Sequence, residues 1–281
     1  MQQRTVAVVQ LILAGVLWSL GGILIKQIPL NPMAITSARS AISALVFLAY
    51  LKFKPKFTFS RSQIAGALCY VGTVSLFVGA NKTTTAANAI LLQYGAPGYV
   101  AFLAYFILGE KPNRWDILAV IGIALGMMVF FAGDVSAGQA LGNVLAIVSG
   151  MTFAGLVVCL RLQKGGAQLE TVLLGNIMAF AVGAPFLFAG PSVLPYAGPV
   201  LLLGVFQLGI PYVLYSLAAK NVTALDLIII PTIEPILNTI WVFLGTGEAP
   251  GLFSVIGGLV VILVVAIRSV GALRENAEVL K

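Results

Sequence analysis

Long apolar runs separated by short polar stretches make up most of the chain. Each run is continuous rather than alternating, and each approaches the ~20 residues that an α-helix needs to cross the hydrocarbon core of a bilayer. The ten runs cover about residues 5–26, 33–51, 62–81, 86–109, 114–132, 141–161, 169–189, 197–219, 224–245 and 250–270. The pattern predicts an all-α integral membrane protein with ten transmembrane helices and short loops.

The composition agrees with this prediction. Hydrophobic residues make up 60% of the chain and charged residues 9%, whereas globular proteins carry roughly 25% charged residues. The chain has no histidine, and its two cysteines, Cys69 and Cys159, each lie inside an apolar run. Histidine sites and clustered-cysteine metal sites are therefore excluded, and no metal or cofactor is expected. The first run is too long for the core of a signal peptide, so we expect it to be retained as the first span.

Basic residues are unevenly divided between the two sets of loops. With the N-terminus inside, the outer side carries Lys26 and Lys82, and Arg39 falls within the second span. The inner side carries thirteen basic residues: Arg4, Lys52, Lys54, Lys56, Arg61, Lys111, Arg114, Arg161, Lys164, Lys220, Arg268, Arg274 and Lys281. This bias predicts a multi-pass protein of a bacterial inner membrane with both termini in the cytoplasm. It also explains the net charge of +7, so membrane lipid is an expected partner and nucleic acid is not. Residues 52–61 can also bind anionic lipid, although positive-inside topology alone accounts for them.

An internal repeat relates the two halves of the chain. A shift of 138 residues aligns Ala80–Ile90 with Ala218–Ile228, and without a gap it also aligns Pro97 with Pro235. A shift of 135 residues pairs Gly15 with Gly150, Trp18 with Phe153 and Lys26 with Arg161. We therefore predict two five-helix repeats, residues 1–138 and 139–281. Because five is odd, the repeats must have opposite orientations, which is a common plan of secondary transporters.

Two motifs connect these repeats to a known family. They are LLQYGAPGYVAFLAYFILGE (Leu91 to Glu110) and its copy IIPTIEPILNTIWVFLGTGE (Ile229 to Glu248), and Arg39 lies early in the second span. With them the whole chain resembles the EamA group of the drug/metabolite transporter superfamily, and within it the bacterial exporters of aromatic amino acids. The resemblance implies export of small molecules by alternating access. The ending LGTGE departs from the more usual LLGE and leaves the role of Glu248 open.

Prolines in the two motifs predict helix interruptions near the membrane centre. Pro97 leaves the carbonyl of Gln93 without its helical partner, and Pro235 does the same to the carbonyl of Pro231. Such carbonyls are tolerated where they line a cavity or find other donors. A packing kink without a ligand is the alternative, and the coincidence of Pro97 and Pro235 across the repeat favours a cavity lining or a hinge.

Two charged residues lie within predicted spans. Glu234 can bind a substrate ammonium, exchange a proton, or act as a structural partner of neighbouring polar groups. Arg39 can hold a substrate carboxylate or stabilise helix packing, and the structural role is favoured because the residue is general to the family.

Polar aromatic and amide side chains complete the candidate cavity. The aromatic residues within the spans are Trp18, Tyr94, Tyr99, Tyr212, Tyr215 and Trp241, and the amides are Asn88, Gln93, Asn176, Gln207 and Asn238. Tryptophan and tyrosine also concentrate at membrane surfaces, so a surface position is an equal alternative for any one of them. Together they suit a neutral, partly apolar solute.

The leading hypothesis is a secondary transporter that exports amino acids, aromatic or otherwise neutral, or related small metabolites. The alternatives are a drug or metabolite carrier of other specificity, a passive channel and an intramembrane enzyme. Absence of paired intramembrane aspartates or a serine–lysine couple argues against an enzyme. The glycines of Gly122-x-x-x-Gly126 allow close helix packing, within the chain or between two copies. Packing within the chain is favoured, which is compatible with a monomer and leaves the oligomeric state open.

Overall fold

The computed structural model describes residues 2–131, 139–163, 166–246 and 251–279, and within them the regular secondary structure is helical. The α-helices are α1 (Gln2–Trp18), α2 (Gly21–Lys26), α3 (Pro32–Tyr50), α4 (Arg61–Thr83), α5 (Ala86–Gln93), α6 (Ala96–Leu103), α7 (Arg114–Phe131), α8 (Ala140–Leu162), α9 (Gln168–Ala189), α10 (Ala197–Leu202), α11 (Ile210–Ala218), α12 (Ala224–Ile229), α13 (Ile233–Thr246) and α14 (Leu252–Val279). Two π-helical stretches, Ala104–Leu108 and Leu203–Gly209, and two 3₁₀ turns, Leu194–Tyr196 and Ile230–Thr232, continue or join them.

The apolar runs of the sequence are helical over most of their described residues. Seven helical stretches in the described chain are long and apolar enough to cross a membrane: Gln3–Lys26, Pro32–Tyr50, Arg61–Thr83, Ala140–Leu162, Gln168–Ala189, Leu194–Ala218 and Ala224–Gly245. Shorter apolar helical stretches cover Ala96–Leu108 and Val255–Val264. The helix exteriors carry large exposed apolar side chains, such as Leu45, Leu125 and Val144, as expected of surfaces that face lipid. The chain is therefore an all-helical, multi-pass membrane protein.

Several segments that the sequence predicts as single helices are interrupted. The first breaks at Ser19 and Leu20, between α1 and α2, where Gly21 and Gly22 follow. The fourth breaks at Tyr94 and Gly95, just before Pro97, and the ninth narrows to a 3₁₀ turn at Ile230–Thr232. Proline accounts for the last two because it removes a donor and its ring crowds the preceding turn.

Glycine lets the helices of the two sequence halves approach closely. The most extensive contacts pair α4 with α8, α3 with α9, α7 with α14, α4 with α9 and α1 with α11. In the α7–α14 pair, a methyl group on Gly122 would lie 2.5 Å from a methyl of Val264, and one on Gly126 would lie 2.9 Å from a methyl of Val261. Both glycines of the small-residue motif thus pack inside the chain, as the sequence favoured.

Ion pairs join the two halves at the end of the bundle where α12 begins. Arg268 of α14 is buried and pairs with Asp116 of α7 and with Asp226 of α12, both at 2.8 Å. A second pair joins Arg161 of α8 to Glu110, whose other carboxylate oxygen accepts from the Ala224 N–H at 2.8 Å. These arginines were expected to mark topology, and in the fold they also pair with carboxylates. An arginine that was buried without such a partner would be costly.

Candidate substrate cavity between the interrupted helices

A central cavity of about 30 Å³ lies where the interrupted helices meet. Its walls combine charged, amide and aromatic side chains: Trp18, Arg39, Thr73, Val74, Phe77, Gln93, Phe153, Gln207, Leu208, Tyr212 and Glu234. A space of this size holds about two water molecules, so it is too small for an amino acid in this conformation. The helices around it would have to separate before an organic solute could enter.

Arg39 projects from α3 into this cavity and is 1% exposed. Its Nη1 donates to Gln207 Oε1 and its Nη2 to the carbonyl oxygen of Val74, both at 2.8 Å. Its Nε–H is buried and has no acceptor among the described residues. Gly204 lies against the Arg39 turn of α3, because a methyl group there would be 3.1 Å from the Arg39 carbonyl oxygen. The guanidinium is thus held in place while part of its donor capacity stays unused.

Glu234 reaches the same cavity from the first turn of α13 and is 7% exposed. Tyr94 connects it to the other interrupted helix, since the Tyr94 hydroxyl lies 2.9 Å from Glu234 Oε2. The same hydroxyl lies 3.1 Å from the carbonyl oxygen of Pro231, the group that Pro235 deprives of a helical partner. Within the described chain, no ion pair includes Glu234 or Arg39. The cavity therefore holds an acid and a base that do not neutralise each other directly.

The break between α5 and α6 is tied to α8 and α4. Gln93 Nε2 donates to Ser149 Oγ at 2.7 Å, and Ser149 Oγ donates to the carbonyl oxygen of Thr73 at 2.9 Å. The backbone of Gln93 also meets α8, because a methyl group on Gly150 would lie 2.6 Å from the Gln93 carbonyl oxygen. Gly150 is therefore required for the close approach of this carbonyl to α8.

Aromatic rings form the apolar wall of the cavity. Trp18 is buried, and its ring lies 4.9 Å from that of Tyr212, 5.1 Å from Tyr215 and 5.9 Å from Phe153. Tyr70 extends the cluster, with its ring 5.0 Å from Tyr212 and its hydroxyl donating to Asn176 Oδ1 at 2.9 Å. Tilted and edge-on rings at these distances are favourable and present both apolar faces and polar edges.

The structure brings some of the sequence candidates together and leaves others apart. Five of the candidates line the cavity: Trp18, Arg39, Gln93, Gln207 and Glu234. Tyr94 lies next to the cavity and is hydrogen-bonded to Glu234. Three further candidates lie elsewhere: Asn88, Tyr99 and Asn238. Asn88 donates to Thr84 Oγ1 and Gln139 Oε1 near the start of α5, and Tyr99 is half-buried beside Gly95. Asn238 Oδ1 accepts from the Gly22 N–H at 3.0 Å and holds α2 against α13.

The proline candidates lie at the interruptions, and Glu248 lies outside the described residues. Pro97 follows the α5–α6 break and is buried in the first turn of α6, while Pro231 occupies the 3₁₀ turn. Pro235 is the third residue of α13.

Sequence reasoning missed Phe153, Thr73 and Phe77 as wall residues. For Phe153 a signal was present in the sequence, because it aligns with Trp18 in the predicted repeat. In the structure the two rings contact each other. Thr73 and Phe77 lie within the apolar helix α4, and no feature of the sequence distinguishes them from packing residues.

Comparisons with known proteins agree with a transporter. A relative from Archaeoglobus fulgidus, described as an uncharacterized transporter, is 24% identical over 260 residues, which cover 90% of this chain and 92% of the relative. A solved structure, described only as the crystal structure of a protein, has a TM-score of 0.74 at 20% identity and is matched over 98% of its chain and 95% of this one. That likeness shows a shared fold. The model of the EamA-like transporter family matches twice, over residues 5–132 and 140–270. These two matches cover most of the sequence, and the chain belongs to the EamA-like transporter family.

Proposed function

We propose that this transporter exports neutral amino acids, with a preference for aromatic ones, by alternating access. The observation that carries the proposal is the cavity with one guanidinium and one carboxylate, Arg39 and Glu234, which are not paired with each other. An amino acid carries the opposite charges at its two ends. Its carboxylate would bind Arg39, whose Nε–H has no acceptor, and its ammonium would bind Glu234.

The aromatic wall supports an apolar side chain on the substrate. Trp18, Phe153 and Tyr212 together offer ring faces and edges beside the two charged groups. Phosphorylated substrates would need several cations, and among the described residues Arg39 is the cation on the cavity wall. A neutral amino acid with an aromatic or large apolar side chain fits this combination best.

Two inverted five-helix repeats, residues 1–138 and 139–281, would provide the movement. The double match of the family model supports this arrangement, and so does the contact pattern. In the proposed repeat, α3 corresponds to α9 and α7 corresponds to α14. The two helices of each corresponding pair pack against each other. In an inverted-repeat transporter one half rocks against the other around a central site. The end of the bundle where α12 begins carries the ion pairs and is called the ionic end. Opening there would separate Arg161 from Glu110 and Arg268 from Asp116.

We further propose ten spans with both termini in the cytoplasm of a bacterial cell and the ionic end facing inward. The excess of Lys and Arg in the loops on that side supports this orientation. Labelling of single cysteines tests it, with Cys69 and Cys159 replaced and Lys54→Cys or Lys26→Cys introduced. A membrane-impermeant reagent should reach position 26 alone in intact cells.

Counterflow in proteoliposomes tests the substrate class. Vesicles loaded with unlabelled phenylalanine should accumulate labelled phenylalanine, and a panel of twenty amino acids should show aromatic and large neutral ones as the best competitors. Arg39→Gln and Glu234→Gln should each weaken competition, whereas Lys54→Gln on an exposed loop should not. Competition by none of the twenty would contradict the amino-acid assignment and leave a carrier of other specificity.

The same vesicles separate the remaining alternatives. A channel would equilibrate solutes without saturable exchange, so counterflow would be absent. An intramembrane enzyme would convert the labelled compound, and the recovered label would no longer co-migrate with phenylalanine.

A further inference from the structure

The Tyr94 hydroxyl lies between two oxygen acceptors that belong to the other interrupted helix. It is 2.9 Å from Glu234 Oε2 and 3.1 Å from the Pro231 carbonyl oxygen. Tyr94 itself follows the last residue of α5, so this contact joins the break between α5 and α6 to the break between α12 and α13. The three oxygens form one continuous chain.

A count of protons shows what this chain requires. A tyrosine hydroxyl carries one proton and can donate one strong hydrogen bond, although it can accept others. When Glu234 is ionised, both of its oxygens are acceptors, and the Tyr94 proton can serve either the carboxylate or the Pro231 carbonyl. When Glu234 is protonated, its own O–H donates to Tyr94 Oη and Tyr94 donates to Pro231. Both contacts are satisfied at once in the protonated state.

The Pro231 carbonyl oxygen lacks its helical donor, so it competes with the Glu234 carboxylate for the Tyr94 proton. Pro235 has no N–H to give it, and the Ile233 N–H reaches it from two residues away. The oxygen also lies against α1, since a methyl group on Gly15 would be 2.8 Å from it. A buried carbonyl that loses its best donor favours a change of backbone conformation in this short 3₁₀ turn.

We propose that Glu234 is a proton-binding site, and that Tyr94 transmits its protonation to the helix break at Ile230–Thr232. Proton binding converts the carboxylate to the acid, turns the Tyr94 hydroxyl toward Pro231 and stabilises the break as it is seen here. Proton loss returns the Tyr94 donor to the carboxylate and loosens the turn. The proposal rests on the transport function above and concerns its coupling ion.

The groups around Glu234 favour a proton-binding effect that is confined to this site. The charged and titratable groups that face it are Tyr94 from the α5–α6 break, Tyr212 from α11, and Arg39 from α3 across the cavity. Tyr215 of α11 lies behind them, against the ring of Tyr212. No ion pair in the described chain holds Glu234 in its ionised form. The cavity is large enough for about two water molecules, which can deliver the proton.

Hydrogen–deuterium exchange of the full chain in nanodiscs tests the proposal without any substrate. After correction for the intrinsic dependence of exchange on pH, amides of Ile229–Ile236 should exchange severalfold more slowly at about pH 5 than at about pH 8. Glu234→Gln should be protected at both values, because its amide donates to Tyr94 as the protonated acid does. Tyr94→Phe should be unprotected at both. Tyr215→Phe is the matched control, since its buried hydroxyl has no partner among the described residues, and it should behave as the parent protein.

Each result of the exchange experiment either supports or contradicts the proposal. The absence of any pH dependence in the parent protein, or its persistence in Tyr94→Phe, would overturn the proposal. Infrared spectra of the parent protein give a second measurement that needs no variant to fold, because the absorption of a buried carboxylic acid should disappear as the pH rises. These readouts stand even if phenylalanine is not transported. If it is transported, Tyr94→Phe should exchange phenylalanine at a rate that no longer depends on pH.

Discussion

The two interrupted helices, α5 to α6 and α12 to α13, use the same backbone arrangement with different chemistry. Each begins at a threonine N-cap, Thr85 or Thr223, whose hydroxyl accepts from the N–H three residues later. Each is broken ahead of a proline, and each carries a carbonyl that packs against a glycine. The arrangement of the backbone is therefore common to both, whereas the charged groups belong to the second helix alone.

The helix starts show this difference first. Asn88 on α5 makes neutral hydrogen bonds to Thr84 and Gln139, at 3.3 and 3.2 Å. The equivalent Asp226 on α12 closes a capping box with Thr223 and pairs with Arg268 at 2.8 Å. One start is joined to its surroundings by amides and the other by buried ions.

The breaks differ in the same direction. The carbonyl of Gln93 packs against Gly150 and that of Pro231 against Gly15. After the break, the first helix has Ala96 where the second has Glu234. The two interrupted helices thus share a backbone arrangement while the second alone carries the groups that bind charge, and this teaches that helix shape and chemistry are separable in this protein.

The largest expected effect comes from removal of the charge at one start. Asp226→Ala leaves the buried Arg268 with Asp116 alone and opens the capping box, which should cost about 3 kcal/mol. Asn88→Ala breaks neutral bonds and should cost about 1 kcal/mol. Thermal unfolding in detergent compares the two variants, and equal losses would mean that the ion pairs add nothing to the fold.

Gly150 and Gly15, which pack against the two breaks, should contribute about equally to the stability of the fold. In Gly150→Ala and Gly15→Ala, the new methyl group would lie 2.6 and 2.8 Å from a backbone carbonyl oxygen, so a helix must move at a cost of about 1–3 kcal/mol. Gly258→Ala is the control, because nothing lies within 4 Å of its methyl position. Unfolding temperatures measure all three, and no loss in either break variant would show that these contacts yield freely.

The aromatic wall tests whether the two halves recognise substrate alike. Trp18→Ala removes a ring that contacts Phe153, Tyr212 and Tyr215, and competition by aromatic amino acids should weaken by about 1 kcal/mol, or roughly fivefold. Phe153→Ala removes the ring that aligns with Trp18 in the predicted repeat and should have a smaller effect. Counterflow competition profiles measure both, and an unaltered profile in Trp18→Ala would remove it from the site.

The smallest effect is expected from the prolines themselves. Pro97→Ala and Pro235→Ala each restore a backbone N–H without a change in the cavity side chains. Each should make its helix straighter and slow substrate exchange by a few-fold. Pro235→Ala should have the greater effect, because its new donor competes with Tyr94 for the Pro231 carbonyl. Initial counterflow rates measure both, and faster exchange in either would mean that the kink restrains movement.

Much of the fold followed from the sequence because the membrane leaves few choices. A backbone in hydrocarbon must satisfy its own hydrogen bonds, so each continuous apolar run had to be a helix. The prediction of a repeat also came from the sequence, which aligns Gly15 with Gly150 and Trp18 with Phe153. The prolines near the span centres were likewise evident from the sequence. Glu234 and Arg39 were recognisable candidates since charge within a span is costly.

The tertiary structure decided which of these groups meet. Arg39 and Gln207 are far apart in the chain, yet they share a hydrogen bond on one cavity wall, while Asn88 and Asn238 hold helices together elsewhere. The sequence likewise gave no sign that Arg268 would serve two carboxylates, or that Tyr94 would lie between Glu234 and Pro231. Hydrophobicity and proline act on the chain locally and so can be read along it. Pairing depends on how the helices rotate and approach each other, and this is determined by packing across the whole bundle.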